Sequence, residues 1–181
     1  MSQKTREKSP HASPGATPPP VATGQSAGKL VEGTRAPPFS VPLAGGGTAS
    51  LVDYAGRKLV IFFYPRTGTD GCTRETLDFS RLASAFAAEG AELLGVSADS
   101  LKTQESFHRK NLLKIPLASD EDHQMLEAYD VWQEKSMYGK TFMGIVRTTV
   151  LMDAHGRIAR VWSKVKVDGH AEEVLSHLRK R

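Results

Sequence analysis

The stretch KLVIFFY at residues 58–64 limits what this chain can fold into more than any other part of it. Six apolar side chains follow Lys58 without a polar break, three of them aromatic and two β-branched. A strand with one wet face alternates apolar and polar residues, whereas an unbroken run of this kind suits a strand covered on both faces. Pro65 has no N–H to give to a ladder and ends the run. A strand buried on both sides needs a layer above and a layer below. The expected domain is therefore an α/β sandwich around a central sheet.

The flanking patterns extend this reading. After a short loop comes TRETLDFSRLASAFAAEG, in which Phe79, Leu82, Ala83 and Phe86 recur at helical spacing and Gly90 is placed to end the helix. Residues 92–97 predict a second strand, and residues 101–110 a polar helix capped by Asp99 or Ser100. Leu117 begins a short strand, and Asp120 or Ser119 can cap the turn of helix that carries Met125 and Leu126. Residues 146–152 alternate as a strand, 153–156 make a turn, and 158–164 pair back. Ala171, Val174, Leu175 and Leu178 form one apolar helical face, with Asp168 near its start and Arg179, Lys180 and Arg181 at its end, as the helix dipole favours. Ahead of the buried strand, Phe39, Val41 and Leu43 alternate, three glycines intervene, and Leu51 and Tyr54 resume; this predicts a β-hairpin. The sum is a mixed central sheet flanked by helices, with an N-terminal β-hairpin.

Composition narrows the function. Residues 1–28 hold five of the ten prolines and little that could form a core, so they read as a disordered Pro/Ser/Ala-rich tail ahead of one domain at 29–181. The net charge of +4 is concentrated there: residues 1–29 carry four basic groups against Glu7, leaving 20 basic against 19 acidic beyond. A near-neutral domain gives no case for nucleic acid. No apolar run approaches the roughly 20 residues needed to cross a bilayer, so no membrane association is expected. No apolar stretch follows the N-terminal basic residues, which argues against a secretory signal. Gly45-Gly46-Gly47 lacks a following GK[ST], and Gly139-Lys140-Thr141 has Glu134 where a phosphate loop needs its first glycine, so neither reads as a nucleotide site.

The chemistry lies in Tyr64-Pro65-Arg66-Thr67-Gly68-Thr69-Asp70-Gly71-Cys72-Thr73, which joins the buried strand to the first helix. Cys72 is the only cysteine. No intramolecular disulfide is possible, which favours a reducing compartment, the cytoplasm. A lone cysteine is often an inert buried hydrophobe. One in the first turn of a helix instead faces unpaired backbone N–H groups and the positive end of the dipole, a setting that favours thiolate, the nucleophilic form.

The pattern resembles the peroxiredoxin family, specifically its bacterioferritin-comigratory or Q subfamily. The signature Pro-x-x-x-Thr/Ser-x-x-Cys is met by Pro65, Thr69 and Cys72. The similarity continues through DEDHQMLEAYDVWQEKSMYGKTFMGIVRTTVLMDAHGRI and VDGHAEEVLSHLRK, covering about residues 29–181. The resemblance implies a thioredoxin-like fold and reduction of hydrogen peroxide and organic hydroperoxides. Cys72 would become a sulfenic acid, Thr69 would hydrogen-bond the peroxide, and Pro65 would shield the thiolate. Arg147, matching an arginine the family takes from a later strand, would hold thiolate and peroxide oxygens together, and Glu75 would orient it. Relatives commonly have proline where Asp70 stands, and many carry a resolving cysteine five residues after the reactive one, where this chain has Leu77.

The cycle expected is therefore that of a one-cysteine enzyme, a monomer or weak homodimer, recycled by an external thiol such as thioredoxin, glutaredoxin or glutathione. The rival is a peroxide sensor or holdase-like protein in which Cys72 oxidises with little turnover. A thiol–disulfide oxidoreductase would need a C-x-x-C, which is missing. No cofactor or metal is expected. The six histidines form no ligand cluster and read as surface or capping residues, and Asp120, Glu121 and Asp122 as a solvated helix start.

Overall fold

A computed structural model of the chain describes residues 30–180; the segment 1–28 expected to be a disordered tail lies outside them. β1 (Ser40–Pro42) and β2 (Thr48–Ser50) pair antiparallel as the expected hairpin. Leu51 and Tyr54, expected to continue its second strand, lie instead in a 3-10 turn, Leu51–Tyr54. The cause is local: the Ser50 N–H and hydroxyl both donate to Asp53 Oδ2, at 2.9 and 3.0 Å, and start a helical turn where the strand would go on.

The apolar run forms β3 (Lys58–Phe63), followed by α1 (Asp70–Arg81), α2 (Ala83–Ala88), β4 (Ala91–Ser97), α3 (Leu101–Lys110) and β5 (Leu117–Ser119). Then come α4 (Gln124–Ala128), β6 (Trp132–Met137), β7 (Lys140–Ile145), β8 (Thr148–Met152), β9 (Ile158–Trp162) and α5 (His170–Arg179). The central sheet runs β5-β4-β3-β8-β9, with β3, β4 and β5 parallel and β8 and β9 antiparallel to their neighbours. β3 is at the centre, and its side chains feed two cores. Leu59, Ile61 and Phe63 pack with the hairpin residues Val41 and Ala49 and with Met125 and Leu126 of α4. Val60, Phe62 and Tyr64 pack with Phe79 of α1 and Val174, Leu175 and Leu178 of α5. The run lacks polar alternation because neither face meets water.

Two further features differ from the sequence expectation. The helix read as continuous to Gly90 breaks at Leu82, where φ and ψ are −94° and 4°. The hydrogen-bond ladder crosses the break, since Leu82 N–H donates to Asp78 O and Leu82 O accepts from Phe86 N–H. The second difference is the β6–β7 hairpin, absent from the sequence reading. Its strands are largely exposed and mix polar and apolar residues without a period, so no pattern announced them. Tyr138 and Gly139 turn the hairpin with φ of 51° and 75°, the left-handed pair such a two-residue turn requires. The phosphate-loop-like Gly139-Lys140-Thr141 is this turn and the start of β7.

Candidate active site

α1 buries Cys72, Glu75, Thr76, Phe79 and Ser80, a stripe at i, i+3, i+4, i+7 and i+8. The Phe79 ring stacks on Phe62 of β3, with centroids 4.5 Å apart and planes at 13°. That contact fixes the helix's rotation and brings Cys72, two turns earlier on the same face, inward: it is 1% exposed. Thr69 is the N-cap in extended conformation, and its carbonyl accepts from Thr73 N–H at 2.9 Å. The helix begins at Asp70, so Cys72 sits in its first turn as expected.

Arg147 reaches this turn from the segment that leads into β8, the antiparallel neighbour of β3. It was expected within a strand; it stands in the two-residue link between β7 and β8 instead. The unforeseen hairpin accounts for the difference, because β7 ends at Ile145 and the Val146 N–H turns to Val131 O at 2.8 Å. The Arg147 carbonyl accepts from Val165 N–H at 3.0 Å, so its backbone is clamped by the loop ahead of α5. Its side chain has two partners: Nη2 lies 3.2 Å from Cys72 Sγ, and Nη1 donates to Glu75 Oε1 at 2.7 Å. Gly71 lies against the same side chain: a Cβ there would stand 3.4 Å from Arg147 Nη2, close to ordinary contact distance. An Arg74–Asp168 ion pair ties α1 to the same loop.

Glu75 is 1% exposed, and its Oε2 has no hydrogen-bond partner among the described residues. Burial pushes its carboxyl up to about 7 against the pull of Arg147. Burial also works against the Arg147 guanidinium, but Glu75 and Cys72 together hold it above its ordinary value. A permanently charged fork thus joins a buried sulfur to a buried carboxyl group. Of the remaining predicted site residues, Pro65 is half-buried where β3 gives way to the loop, and the Thr69 hydroxyl donates to Arg66 O at 3.1 Å rather than to the sulfur.

Residues 33–161 match the AhpC/TSA family. The chain is a peroxiredoxin of that family. The peroxiredoxin is 46% identical over 143 residues to peroxiredoxin Bcp of Xanthomonas campestris, an alignment covering 78% of this chain and 89% of the relative. It is 38% identical over 150 residues to peroxiredoxin Bcp of Escherichia coli, across 83% and 96% of the two chains. A structure of Xanthomonas campestris peroxiredoxin Q superposes with a TM-score of 0.76 at 45% identity, over 79% of this chain and 90% of that one. A mutant of Xylella fastidiosa PrxQ superposes at 0.81 with 38% identity, over 84% and 98%. The fold is thioredoxin-like, and the peroxiredoxin is a thiol peroxidase; the sensor or holdase alternative is not favoured. Among the described residues no helix is long and apolar enough to cross a membrane, and no group of three or more His, Cys, Asp or Glu could hold a metal ion.

Sequence reasoning missed several participants. His170 was expected at the surface or in a cap. It is 3% exposed at the start of α5, with Nε2 2.7 Å from Thr149 Oγ1 and its ring edge-on to Phe79 and Trp162. Its position opens the apolar stripe of α5 with Ala171, and the aromatic neighbours come from distant elements, which no local pattern reveals. Of the two caps the sequence offers for α3, Asp99 and Ser100, it is Ser100 that caps, accepting from Thr103 N–H. The Asp99 carboxylate accepts from Thr67 N–H at 2.8 Å in the loop below Thr69.

Proposed function

We propose that Cys72 is the peroxidatic nucleophile of a one-cysteine cycle acting on hydrogen peroxide and organic hydroperoxides. The Cys72 thiolate attacks the terminal peroxide oxygen: the S–O bond forms, the O–O bond breaks, and the leaving oxygen departs as alkoxide or hydroxide and takes a proton from water. Cys72 is left as a sulfenic acid. Arg147 holds the sulfur and stabilises the charge that develops on the departing oxygen. The Thr69 hydroxyl hydrogen-bonds the peroxide, Pro65 shields the sulfur from solvent, and Glu75 sets the plane of the guanidinium. The supporting observation is the double contact of Arg147, which places one fixed cation against the only sulfur nucleophile of the chain.

No second cysteine is available to resolve the sulfenic acid. An external thiol displaces water to give a mixed disulfide on Cys72, and a second thiol releases the free cysteine and a disulfide. Thioredoxin, glutaredoxin and glutathione are the candidate sources. A cycle that needs a steady supply of thiol belongs in a reducing compartment, the cytoplasm, and the assembly proposed is a monomer or weak homodimer. The test is steady-state peroxide consumption with the three reducing systems side by side. Sustained turnover with at least one supports the cycle; stoichiometric oxidation of Cys72 without turnover in all three overturns it.

A further inference from the structure

A chain of hydrogen bonds leads from the core to the loop that carries Thr69. Tyr64 Oη donates to Gln104 Oε1 at 2.5 Å. Gln104, on α3 and fully buried, donates through Nε2 to Ser97 Oγ at 2.7 Å and to Ala118 O at 3.0 Å. The Ser97 hydroxyl donates to Asp99 Oδ2 at 2.7 Å, and the same carboxylate oxygen accepts from Thr67 N–H at 2.8 Å. On the other side of that peptide, Arg66 O accepts the Thr69 hydroxyl proton at 3.1 Å. The Arg66 carbonyl and the Thr67 N–H belong to one planar peptide group. That group is held at one end by Asp99 and holds Thr69 at the other.

The arrangement has a chemical consequence. A hydroxyl has one proton and two acceptor lone pairs. With its proton committed to Arg66 O, Thr69 Oγ1 meets an arriving hydroperoxide as an acceptor, the role that the terminal O–H of the peroxide needs. A carboxylate on the N–H of the same peptide polarises the carbonyl and strengthens its hold on the hydroxyl. Ser97 and Gln104, both buried, fix the Asp99 side chain in turn.

We propose that Asp99 is a positioning residue for the peroxide: through the Arg66–Thr67 peptide it fixes the Thr69 hydroxyl as the acceptor for the terminal O–H of the substrate. This rests on Thr69 contacting the peroxide, as set out above. Asp99 touches neither substrate nor sulfur, so its effect passes entirely through Thr69.

The experiment is a double-mutant cycle read by stopped-flow formation of the Cys72 sulfenic acid with hydrogen peroxide. Asp99→Ala lowers the second-order rate about 3- to 10-fold, the equivalent of one hydrogen bond. Thr69→Val lowers it at least as much, and the double variant is no slower than Thr69→Val alone. Asp99→Asn, whose amide oxygen can still accept from Thr67 N–H, restores most of the rate. Alkylation of Cys72 by iodoacetamide, which makes no use of the Thr69 hydroxyl, proceeds at the parent rate in Asp99→Ala. Should Asp99→Ala fail to fold, Ser97→Ala, which frees the carboxylate from its internal partner, enters the same cycle with a smaller loss expected. Additive losses in the double variant, or equal losses towards peroxide and iodoacetamide, would overturn the assignment. A parent protein that forms no sulfenic acid at all refutes the nucleophile reading instead, before Asp99 is tested.

Discussion

The guanidinium of Arg147 lies 3.2 Å from the sulfur of Cys72, across a separation of 75 residues. The same group donates to Glu75, one turn further along the helix that carries the sulfur. Two hydrogen-bonding arms on a rigid plane reach both partners at once. A lysine ammonium is a compact charge on a flexible stem and has no such fork. The relationship therefore depends on arginine and not on positive charge alone.

Arg147→Ala is expected to slow sulfenic acid formation by about 10²–10³, the usual loss when one charged transition-state donor is removed. Arg147→Lys should recover only part of this, because it cannot hold Cys72 and Glu75 together. Stopped-flow peroxide reduction by the purified variants decides the matter. A lysine variant with the parent rate would show that charge alone is needed and that the fork is incidental.

Cys72→Ser is expected to abolish peroxide reduction while leaving the fold intact. The exchange of sulfur for oxygen is small in volume, and α1 keeps its anchor through the Phe79–Phe62 stack. The melting temperature and far-UV spectrum should stay close to the parent. Peroxide consumption near the parent level would remove Cys72 from the mechanism.

The central fold was legible because β3 has the pattern of a doubly covered strand, because Phe79, Leu82, Ala83 and Phe86 recur at helical spacing across α1 and α2, and because α5 has an apolar stripe. Cys72 was legible for another reason: it stands at the start of the first helix, directly after the buried strand and behind Pro65 and Thr69. What escaped the sequence was held by contacts between distant segments. The β6–β7 hairpin exposes most of its residues and so bears no periodic mark, yet it decides where Arg147 stands. His170 reads as an ordinary helix-start residue until Phe79 and Trp162 close around it. Asp99 sits directly before a genuine cap, Ser100, and a cap was the reading its local sequence favoured.

Glu75 and His170 give opposite slopes to stability against pH. Burial raises Glu75 from 4.5 to about 7, so between those values the folded chain binds more protons than the unfolded one, and stability from this group is lost as pH rises. Burial lowers His170 from 6.5, the nearby Arg147 charge acting in the same direction, so its contribution is present above 6.5 and is lost as pH falls through the folded value. Urea unfolding at a series of pH values should therefore show Glu75→Gln declining less steeply than the parent as pH rises towards 7. His170→Asn should lose less stability than the parent on acidification below 6.5. Parallel curves for parent and variant would mean that the group in question titrates alike in the folded and unfolded chains.

The fate of the sulfenic acid is the last expectation. Leu77 stands five residues after Cys72, 40% exposed on the outer side of α1, while Cys72 faces the core. With no cysteine to meet it, the sulfenic acid on Cys72 persists until an external thiol or a second peroxide arrives. A second peroxide advances it to the irreversible sulfinic acid. Pure protein treated with peroxide and no reductant should show, by mass spectrometry, one and then two or three added oxygens on Cys72, with a minority of Cys72–Cys72 dimers between chains. A small thiol added before the second peroxide should trap a mixed disulfide instead. Leu77→Cys introduces a partner at the right distance in sequence but on another face of an intact helix, so an intrachain disulfide requires the first turns of α1 to unwind. If the helix opens after oxidation, Leu77→Cys converts the sulfenic acid to a disulfide and suppresses sulfinic acid. If it does not open, the variant over-oxidises as the parent does. Cys72 recovered as an unmodified thiol after peroxide treatment would contradict the one-cysteine cycle itself.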